Sequence, residues 1–513
     1  MSIQFQQIPA NNLVPIFATE FDNSAAAKSG PMPWKNLLIG QATKAAAPSE
    51  VTQIFTDAEA DSLFGEGSQI ALMAKAFRKN AKSMELYCLA LQDDEDGAAA
   101  TGDVTVSGTA TESAPLRLMV GGQAVTVTVL NGDSAASVVA AAVAKVAELK
   151  NLPVTAADTS TTGSSAVTKF TLTAKNKGAA GNGIKIELNF NPGEKTPAGL
   201  TVTLPPQTQD TSEPPKITAY AGYLRGGSGD AAYEANGVGA KIAGTWFNGI
   251  AIGSNDNAAN GNVAYIKSLL DDRWDATVQQ TGVLYYSVAG QLSVHTTAGN
   301  ARDSQVICIP GLVKSPSLPC EIAAATFGCI AQCALNDPAV PLANWPVYGV
   351  VAPKQSDRLI LAENNALLRS GVAMLSAADD GTVYLRRCVT TYKQNAAGVA
   401  DTSYQQLEKI HTLSFLRWDW NAYLGGKYPH AKLADDGNEY GPGQVVMTPK
   451  LGKAELLTRY RYWMSKGLVQ NYEAFAANVV VERDPDDDTA MNFLIPADLI
   501  DQLLICKSKI QFK

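Results

Sequence analysis

Apolar residues in the first hundred positions follow two different spacings. Residues 34–40 and 86–91 are short, mostly apolar runs of the kind that form buried strands. Between them an apolar stripe recurs at helical spacing behind the Gly65–Gly67 turn, formed by Ile70, Met73, Ala74 and Phe77. The pattern predicts a strand, helix, strand unit in this region.

The pattern changes abruptly after the acidic turn at 93–96. Residues 101–210 contain two aromatic residues, Phe170 and Phe190, and lack Trp, Tyr, Cys and His. Thr and Val alternate in VTVSGTAT and AVTVTVL, and the Gly121-Gly122 pair is a two-residue hairpin signal. One helix is expected over about 134–149. We therefore predict a Thr-rich β domain at 96–220, inserted into the chain and closed by the Pro-rich segment TLPPQTQDTSEPP.

Strand and helix patterns alternate between residues 241 and 353. The segments TWFNGIAIG, GVLYYSVA and SQVICIPG are typical of buried strands, and NVAYIKSLLDDRW and EIAAATFGCIAQCAL are typical of helices. Such alternation predicts a mostly parallel sheet with right-handed crossovers. The fold class expected for the whole chain is therefore multidomain, α/β and α+β.

The two ends of the chain differ from the middle. Residues 411–513 hold 13 of the 38 aromatic residues, which predicts a dense core, with a helix at AELLTRYRYWMSKG and a long strand at ANVVVER. Polar and less polar residues alternate in the final CKSKIQFK, which predicts a strand with one polar and one packed face. Residues 1–29 carry only three charges and two prolines among alternating residues, as expected for an extended arm.

Charge disfavours a general nucleic-acid binder. The chain has 41 Lys+Arg against 49 Asp+Glu, a formal charge of −8, whereas phosphate binding needs clustered positive charge. Charged residues make up only 18% of the chain, and the polar residues that replace them suit surfaces that meet other protein surfaces. The N-terminal segment has neither the basic nor the apolar region of a secretory signal, and the longest apolar run, 322–335, is too short for a membrane span. The mature chain is therefore expected to start in a cytoplasm.

Few residues are suited to catalysis. The three histidines lie outside any known nucleophile pattern, and no phosphate-binding loop is present. We assign no catalytic, cofactor-binding or metal-binding residue and expect no cofactor. The alternative is an α/β enzyme with a small-molecule pocket at Gly253–Asp256, which directly follows a predicted strand. A capped loop is the simpler interpretation of that segment.

Three further groups each have two interpretations. Asp484 and Asp486–Asp488 could bind calcium or form a solvated turn, and the spacing favours the turn. The aromatic and Arg residues at 459–463 could stack on bases or form a core stripe with flanking charges, and the acidic chain favours the stripe. Cys329 and Cys333, with Cys320 nearby, could bind a metal or be buried thiols, and the missing further ligands favour burial.

Ten segments occur in order along nearly the whole chain and together resemble the tail sheath proteins of contractile, Mu-like bacteriophage tails. They are VPIFATEFDNS, LFGEGSQIALMAKAF, GGQAVTVTV, SLLDDRW, YLRRCVTTY, QQLEKIHTLSFLRWDW, YPHAKLADDG, GPGQVVMTPK, GLVQN and IQFK. Single motifs are only moderately specific, so the resemblance depends on their shared order.

The resemblance implies a structural virion protein that polymerises helically around a tail tube and contracts to drive the tube through the host envelope during genome delivery. It implies as partners other copies of the chain, the tail tube protein, and baseplate and tail terminator proteins, without membrane or direct nucleic-acid contact. The location implied is the virion tail, assembled in the host cytoplasm. The runner-up hypotheses are the enzyme with its pocket at Gly253–Asp256 and a monomeric adhesion module built on the Thr-rich domain.

The resemblance also implies different roles for different segments of the chain. Arms at 1–29 and 501–513 would link neighbouring subunits by adding strands to a neighbour's sheet edge. Residues 30–95 and 395–500 would together form an inner, tube-facing α+β domain, and 96–220 and the α/β domain at 221–394 would lie farther out. The residues expected to exchange strands are Ile3, Phe5, Ile8, Leu504, Cys506, Ser508, Ile510 and Phe512.

Overall fold

The computed structural model describes residues 32–163, 166–205, 221–438, 440–441 and 443–512. The expected N-terminal arm at 1–29, with Ile3, Phe5 and Ile8, lies outside the described residues.

The described residues contain both strands and helices throughout. The strands are β1 (Asn36–Gln41), β2 (Thr52–Gln53), β3 (Leu86–Leu91), β4 (Ala99–Gly108), β5 (Ala114–Val120), β6 (Gln123–Val129), β7 (Val154–Asp158), β8 (Lys169–Lys177), β9 (Lys185–Leu188), β10 (Leu200–Thr203), β11 (Ala221–Tyr223), β12 (Gly249–Ile252), β13 (Val283–Tyr285), β14 (Ile307–Gly311), β15 (Pro346–Val347), β16 (Val372–Ala377), β17 (Val383–Arg387), β18 (Lys432–Leu433), β19 (Val446–Met447), β20 (Val480–Arg483) and β21 (Met491–Leu494). The helices are α1 (Asp57–Phe64), α2 (Gln69–Asn80), α3 (Ala135–Glu148), α4 (Val238–Ile242), α5 (Asn262–Trp274), α6 (Leu292–Asn300), α7 (Pro319–Asn336), α8 (Leu361–Arg369), α9 (Leu407–Lys427), α10 (Pro449–Ser465) and α11 (Tyr472–Asn478).

A nine-stranded sheet forms the centre of the α/β part of the chain. Its order is β15-β17-β16-β14-β13-β12-β1-β3-β2, and the pairs from β16 to β3 are parallel. Alternate residues of β1 pack on opposite faces: Leu38 lies in one core cluster with residues of α2 and α7, and Leu37 and Ile39 lie in another with residues of α5. The predicted parallel sheet is therefore confirmed, with helices on both faces.

The position of β1 and β3 contradicts one expected domain boundary. We expected residues 30–95 to share a core with 395–500, but β1 pairs with β12 and β3 in the α/β sheet. All six residues of β1 are buried, as a central parallel strand requires, and among the described residues its two faces lie in core clusters with helices that pack on the α/β sheet. The shared core is thus wrong, and aromatic density at both chain ends did not indicate a common domain.

The described chain divides into two compact units, one of residues 34–412 and 501–512 and the other containing 413–500, so that the boundary falls within α9. We call 34–95 with 224–412 the body, 96–223 the insert, 413–500 the C-terminal unit and 501–512 the tail.

The insert consists of two four-stranded sheets with α3. The sheet orders are β10-β4-β8-β7 and β11-β9-β5-β6, so its strands pair with one another among the described residues. Gly121 and Gly122 have φ of 55° and 79° and connect β5 to β6, as the hairpin signal predicted. Val138, Val139, Ala142 and Val146 form the buried stripe of α3. One continuous cluster of buried apolar residues joins the insert to the body, so the two pack as a single compact unit.

The C-terminal unit has an aromatic core around α10. Trp463 and Tyr460 are fully buried, and the Tyr460 ring stacks on Phe475 with a centroid separation of 3.7 Å. The predicted long strand ANVVVER is shorter than expected, because helix α11 extends to Asn478 and β20 begins only at Val480. The sequence EAFAAN has high helix propensity, which outweighs the β-branched residues that follow only at 479–481.

Candidate subunit interface

The tail exposes large apolar side chains. Leu503, Ile505, Ile510 and Phe512 are 82%, 64%, 89% and 95% exposed. Its attachment is confined to the first residues, where Gln502 Nε2 donates to the Ala339 carbonyl at 3.2 Å. Exposure of these apolar side chains to water is unfavourable in free energy. Such exposure is typical of a segment that is buried by a partner.

The tail has no strand partner among the residues that the structure describes. We expected a packed face that includes the side chains of Cys506, Ser508, Ile510 and Phe512, but all four are exposed, and Leu504 is half-buried. No strand is present between 501 and 512, so these residues have neither a strand nor a packed face in the described part of the single chain, and their exchange with a neighbour stays a prediction. The physical reason is that alternation specifies which face packs, whereas a strand also needs a hydrogen-bonding edge beside it.

The hairpin of β20 and β21 in the C-terminal unit offers such edges. Its register pairs Val480 with Leu494 and Val481 with Phe493. Phe493 contacts the Trp420 ring at 5.3 Å, whereas Val480 and Leu494 are 45% and 60% exposed. Within the described part of the chain, neither strand pairs with a third. Both outer edges therefore carry open backbone donors and acceptors, and two-stranded hairpins are marginally stable without a further strand or packing partner.

The acidic residues at 484–488 form the turn of this hairpin. Asp484 Oδ1 accepts hydrogen bonds from the backbone N–H groups of Asp486 at 2.9 Å and Asp487 at 3.2 Å. The Asp486 hydrogen bond is the main cause that lowers the pKa of Asp484. Asp488 is fully exposed. These contacts confirm the solvated-turn interpretation.

The residues at 459–463 form part of a core rather than a nucleic-acid surface. Trp463 Nε1 and Arg459 Nε each donate to Asp419 Oδ2 at 2.6 Å, and Asp419 is 1% exposed. Tyr460 Oη donates to the Gln470 carbonyl at 2.6 Å. Tyr462 is partly exposed, at 37%. The core stripe with flanking charges is therefore confirmed.

The segment Gly253–Asp256 lies where an α/β enzyme would bind its ligand. The order in which strands are added to the sheet reverses between β1 and β12: β3 lies on one side of this pair, and β13 and β14 lie on the other. Gly253 directly follows β12, at the carboxyl end of the strand, where such sheets bind ligands. Ser254 Oγ donates to Asp230 Oδ2 at 2.8 Å, and Asp230 Oδ1 accepts from the Ala179 N–H of the insert at 2.5 Å. The polar residues of this loop are thus used to hold the insert.

The amides of three further side chains close the same crevice. Gln69 Nε2 donates to the Gly253 carbonyl and Gln69 Oε1 accepts from the Gln41 N–H, both at 3.0 Å. Asn176 of the insert accepts from the Gln69 N–H at 2.9 Å, and Gln41 Nε2 donates to Asp93 at 2.7 Å. A cavity of about 40 Å³ remains beside Gln69, Asn176 and Gly253, much smaller than a ligand pocket. The sequence pattern alone assigned no role to these amides, although their position beside predicted strand ends was a usable signal.

The cysteines and histidines are mostly buried. Cys506 is exposed, and the buried thiols are those of Cys88, Cys308, Cys320, Cys329, Cys333 and Cys388. Burial raises the pKa of Cys320, which agrees with the interpretation as buried thiols rather than reactive groups. In the described ranges no three His, Cys, Asp or Glu side chains are grouped so that they could hold a metal ion. Nor does any helix in those ranges have the length and apolarity of a membrane span.

Comparison with known proteins gives one similarity over the full length. The chain is 32% identical over 516 residues to the Mu-like prophage FluMu tail sheath protein of Haemophilus influenzae (strain Rd), and the alignment spans the whole of both chains. Solved sheath tail proteins from Desulfitobacterium hafniense and Listeria innocua share 13% identity with it, each at a TM-score of 0.47. The alignments cover 96% and 93% of this chain and 97% and 95% of those chains. No family profile matches the chain.

The FluMu similarity assigns a structural role. Identity of 32% across the whole length of both chains is sufficient to establish the family, and a tail sheath protein is a structural component, not an enzyme. The enzyme alternative for Gly253–Asp256 is thereby set aside, in agreement with the crevice that the insert fills. The chain belongs to the family of tail sheath proteins of Mu-like phages.

Proposed function

We propose that this sheath protein polymerises helically around a tail tube and contracts to drive the tube through the host envelope during genome delivery. The observation that carries the proposal is the full-length similarity to the FluMu tail sheath protein. A subunit contact that does not close on itself propagates as a helical filament. One asymmetric contact repeated from each subunit to the next therefore suffices for polymerisation.

We infer that the tail and the β20–β21 hairpin are the two sides of that contact. The residues proposed to exchange are Leu504, Cys506, Ser508, Ile510 and Phe512, together with Ile3, Phe5 and Ile8 of the N-terminal arm. Support comes from the exposed apolar residues of the tail and from the open edges of the hairpin. Strand addition would supply backbone hydrogen bonds, and alternate side chains would set the register.

The charges of the two segments are complementary. Residues 502–513 contain Lys507, Lys509 and Lys513 and no acidic residue. Residues 480–494 contain five acidic residues and one Arg, a net charge of −4. Opposite charges on the tail of one copy and the hairpin turn of another would favour this pairing over tail–tail contacts, which are repulsive.

The proposed partners are further copies of the chain, the tail tube protein, and baseplate and tail terminator proteins, without membrane or direct nucleic-acid contact. The proposed location is the virion tail, assembled in the host cytoplasm. We place residues 413–500 against the tube and limit the inner domain to them, since 34–95 belong to the body. The insert and the α/β sheet would lie farther out.

Removing the tail tests the proposal. A chain that lacks residues 504–513 is expected to fold with an unchanged melting temperature, because the removed side chains are almost all exposed, and to form no tubes in negative-stain electron microscopy. The double variant Ile510→Asp/Phe512→Asp should behave in the same way. The matched control is Lys509→Arg/Gln511→Ser, which alters the opposite strand face, keeps its positive charge and should still assemble.

Two results would contradict the assignment. Normal tubes from the truncated chain would show that the tail is not the exchanged strand. Equal loss of assembly in the Ile510/Phe512 and Lys509/Gln511 variants would show that the alternation of the tail has no role in its binding.

A further inference from the structure

Two opposite charges are buried where the insert meets the body. Lys185 and Glu187 lie on β9 and are 4% and 1% exposed. They alternate with Ile186 and Leu188, which belong to the apolar core cluster. The period of two along a strand therefore directs the charged side chains to the opposite face of the sheet, toward the body.

The body supplies the partners of both charges. Lys185 Nζ is ion-paired with Glu187 and donates to the Lys314 carbonyl of the body at 2.8 Å. Lys354 Nζ, on a second loop of the body, lies 3.6 Å from Glu187 Oε2. That oxygen has no hydrogen-bond partner among the described residues. Lys314 Nζ in turn pairs with Asp357 at 3.0 Å, which links the two body loops.

Stability alone is a poor explanation for this cluster. Burying an ion pair has a large desolvation cost for each charge, and apolar residues of similar volume often give equal or greater stability. The neighbouring contacts show that the interface accommodates apolar packing, since Gly121 of the insert lies against Leu318 of the body. Apolar contacts tolerate small rotations, whereas charged hydrogen bonds depend on direction.

We propose that the Lys185–Glu187–Lys354 cluster is an orientation lock, which fixes the angle of the insert on the body and contributes little to the stability of the fold. The lock would determine the direction in which the insert projects from each subunit. The proposal depends on contacts within one chain and does not require the polymer.

Measured distances between two labels test the lock. Spin labels at Thr126→Cys on the insert and Asp272→Cys on the body, both exposed positions, report the angle in a Cys506→Ser full-length chain diluted with unlabelled protein. The test variant is Lys185→Met/Glu187→Leu. The control makes the same two substitutions in the exposed pair of the insert, Lys169→Met/Asp103→Leu.

The expected result is a melting temperature within about 5 °C of the parent chain, with a distance distribution about twofold wider or displaced. The control should leave the distribution unchanged. An unchanged distribution in the test variant would overturn the proposal. A test variant that fails to fold would contradict the small contribution of the cluster to stability. The variant Lys354→Met, which keeps the buried pair, would then test the orientation role. A broader distance distribution in Lys354→Met would support that role, and an unchanged width would overturn it.

Discussion

Replacing Asp419 tests how the C-terminal unit is held together. The carboxylate of Asp419 accepts hydrogen bonds from Arg459 through Nε and Nη2 and from Trp463 Nε1, and so connects α9 to α10. Asp419 is 1% exposed and the Arg459 side chain is 13% exposed. The perturbation is Asp419→Leu, which removes the acceptor of all three hydrogen bonds and fills the volume of the carboxylate with an apolar side chain.

The magnitude follows from the group that is left behind. Arg459 cannot lose its charge, so the variant leaves a largely buried guanidinium without this partner, which costs about 3–5 kcal/mol. The rings of Tyr423 and Tyr462 lie 4.6 and 4.2 Å from Arg459 Cζ and retain part of its stabilisation. The lower end of the range, about 3 kcal/mol, is therefore expected.

Hydrogen exchange followed by mass spectrometry on peptides of α9 and α10 measures this loss locally. A loss of about 3 kcal/mol corresponds to exchange about 10²-fold faster. The exposed carboxylate Asp486→Asn is the control and should change exchange by less than about threefold. Exchange in Asp419→Leu within threefold of the parent chain would refute the account of this network. The double variant Asp419→Leu/Arg459→Met should recover most of the protection.

Three further predictions concern the body. Burial lowers the pKa of His295 and of His411 to about 4, below the unfolded value of 6.5. The histidines of the unfolded chain therefore bind protons first as the pH falls. The stability contributed by the neutral histidines is complete above pH 6.5 and is lost toward pH 4, by about 3 kcal/mol per histidine. Between pH 7 and 5 the melting temperature should fall less steeply in His295→Leu than in the parent chain, and equal slopes would count against this. A Cβ on Gly249 would lie 2.2 Å from the Phe327 ring, so Gly249→Ala should cost about 1–3 kcal/mol in denaturant unfolding, and less in a Phe327→Leu background. Gln69→Leu leaves the Gln41 N–H and the Gly253 carbonyl without their partner and should lower stability by about 1–3 kcal/mol per group. The control Thr126→Leu, at an exposed position of the insert, should be nearly neutral.

The sequence predicts those helices and turns that are determined by residues close together in the chain. Helix α5 occupies the predicted segment NVAYIKSLLDDRW, and the Gly121-Gly122 turn joins β5 to β6. In both cases residues close in sequence determine the structure, through a stripe at helical spacing or through φ angles that glycine adopts without strain.

Placement of the elements could not be read in the same way. Strand β1 has the same apolar pattern whether it lies in an inner domain or beside β12, since burial on both faces does not identify the neighbour. Similarly, Gly253–Asp256 has the composition of a ligand loop, and only the position of Asp230 and Ala179 reveals that the insert occupies the crevice.

A reconstruction of the assembled protein by electron cryomicroscopy tests the central claim most directly. The account predicts a helical tube in which residues 504–512 of one copy form an added strand beside the β20–β21 hairpin of another, with Ile510 and Phe512 buried. A tube in which the hairpin stays two-stranded and the tail remains exposed would contradict it.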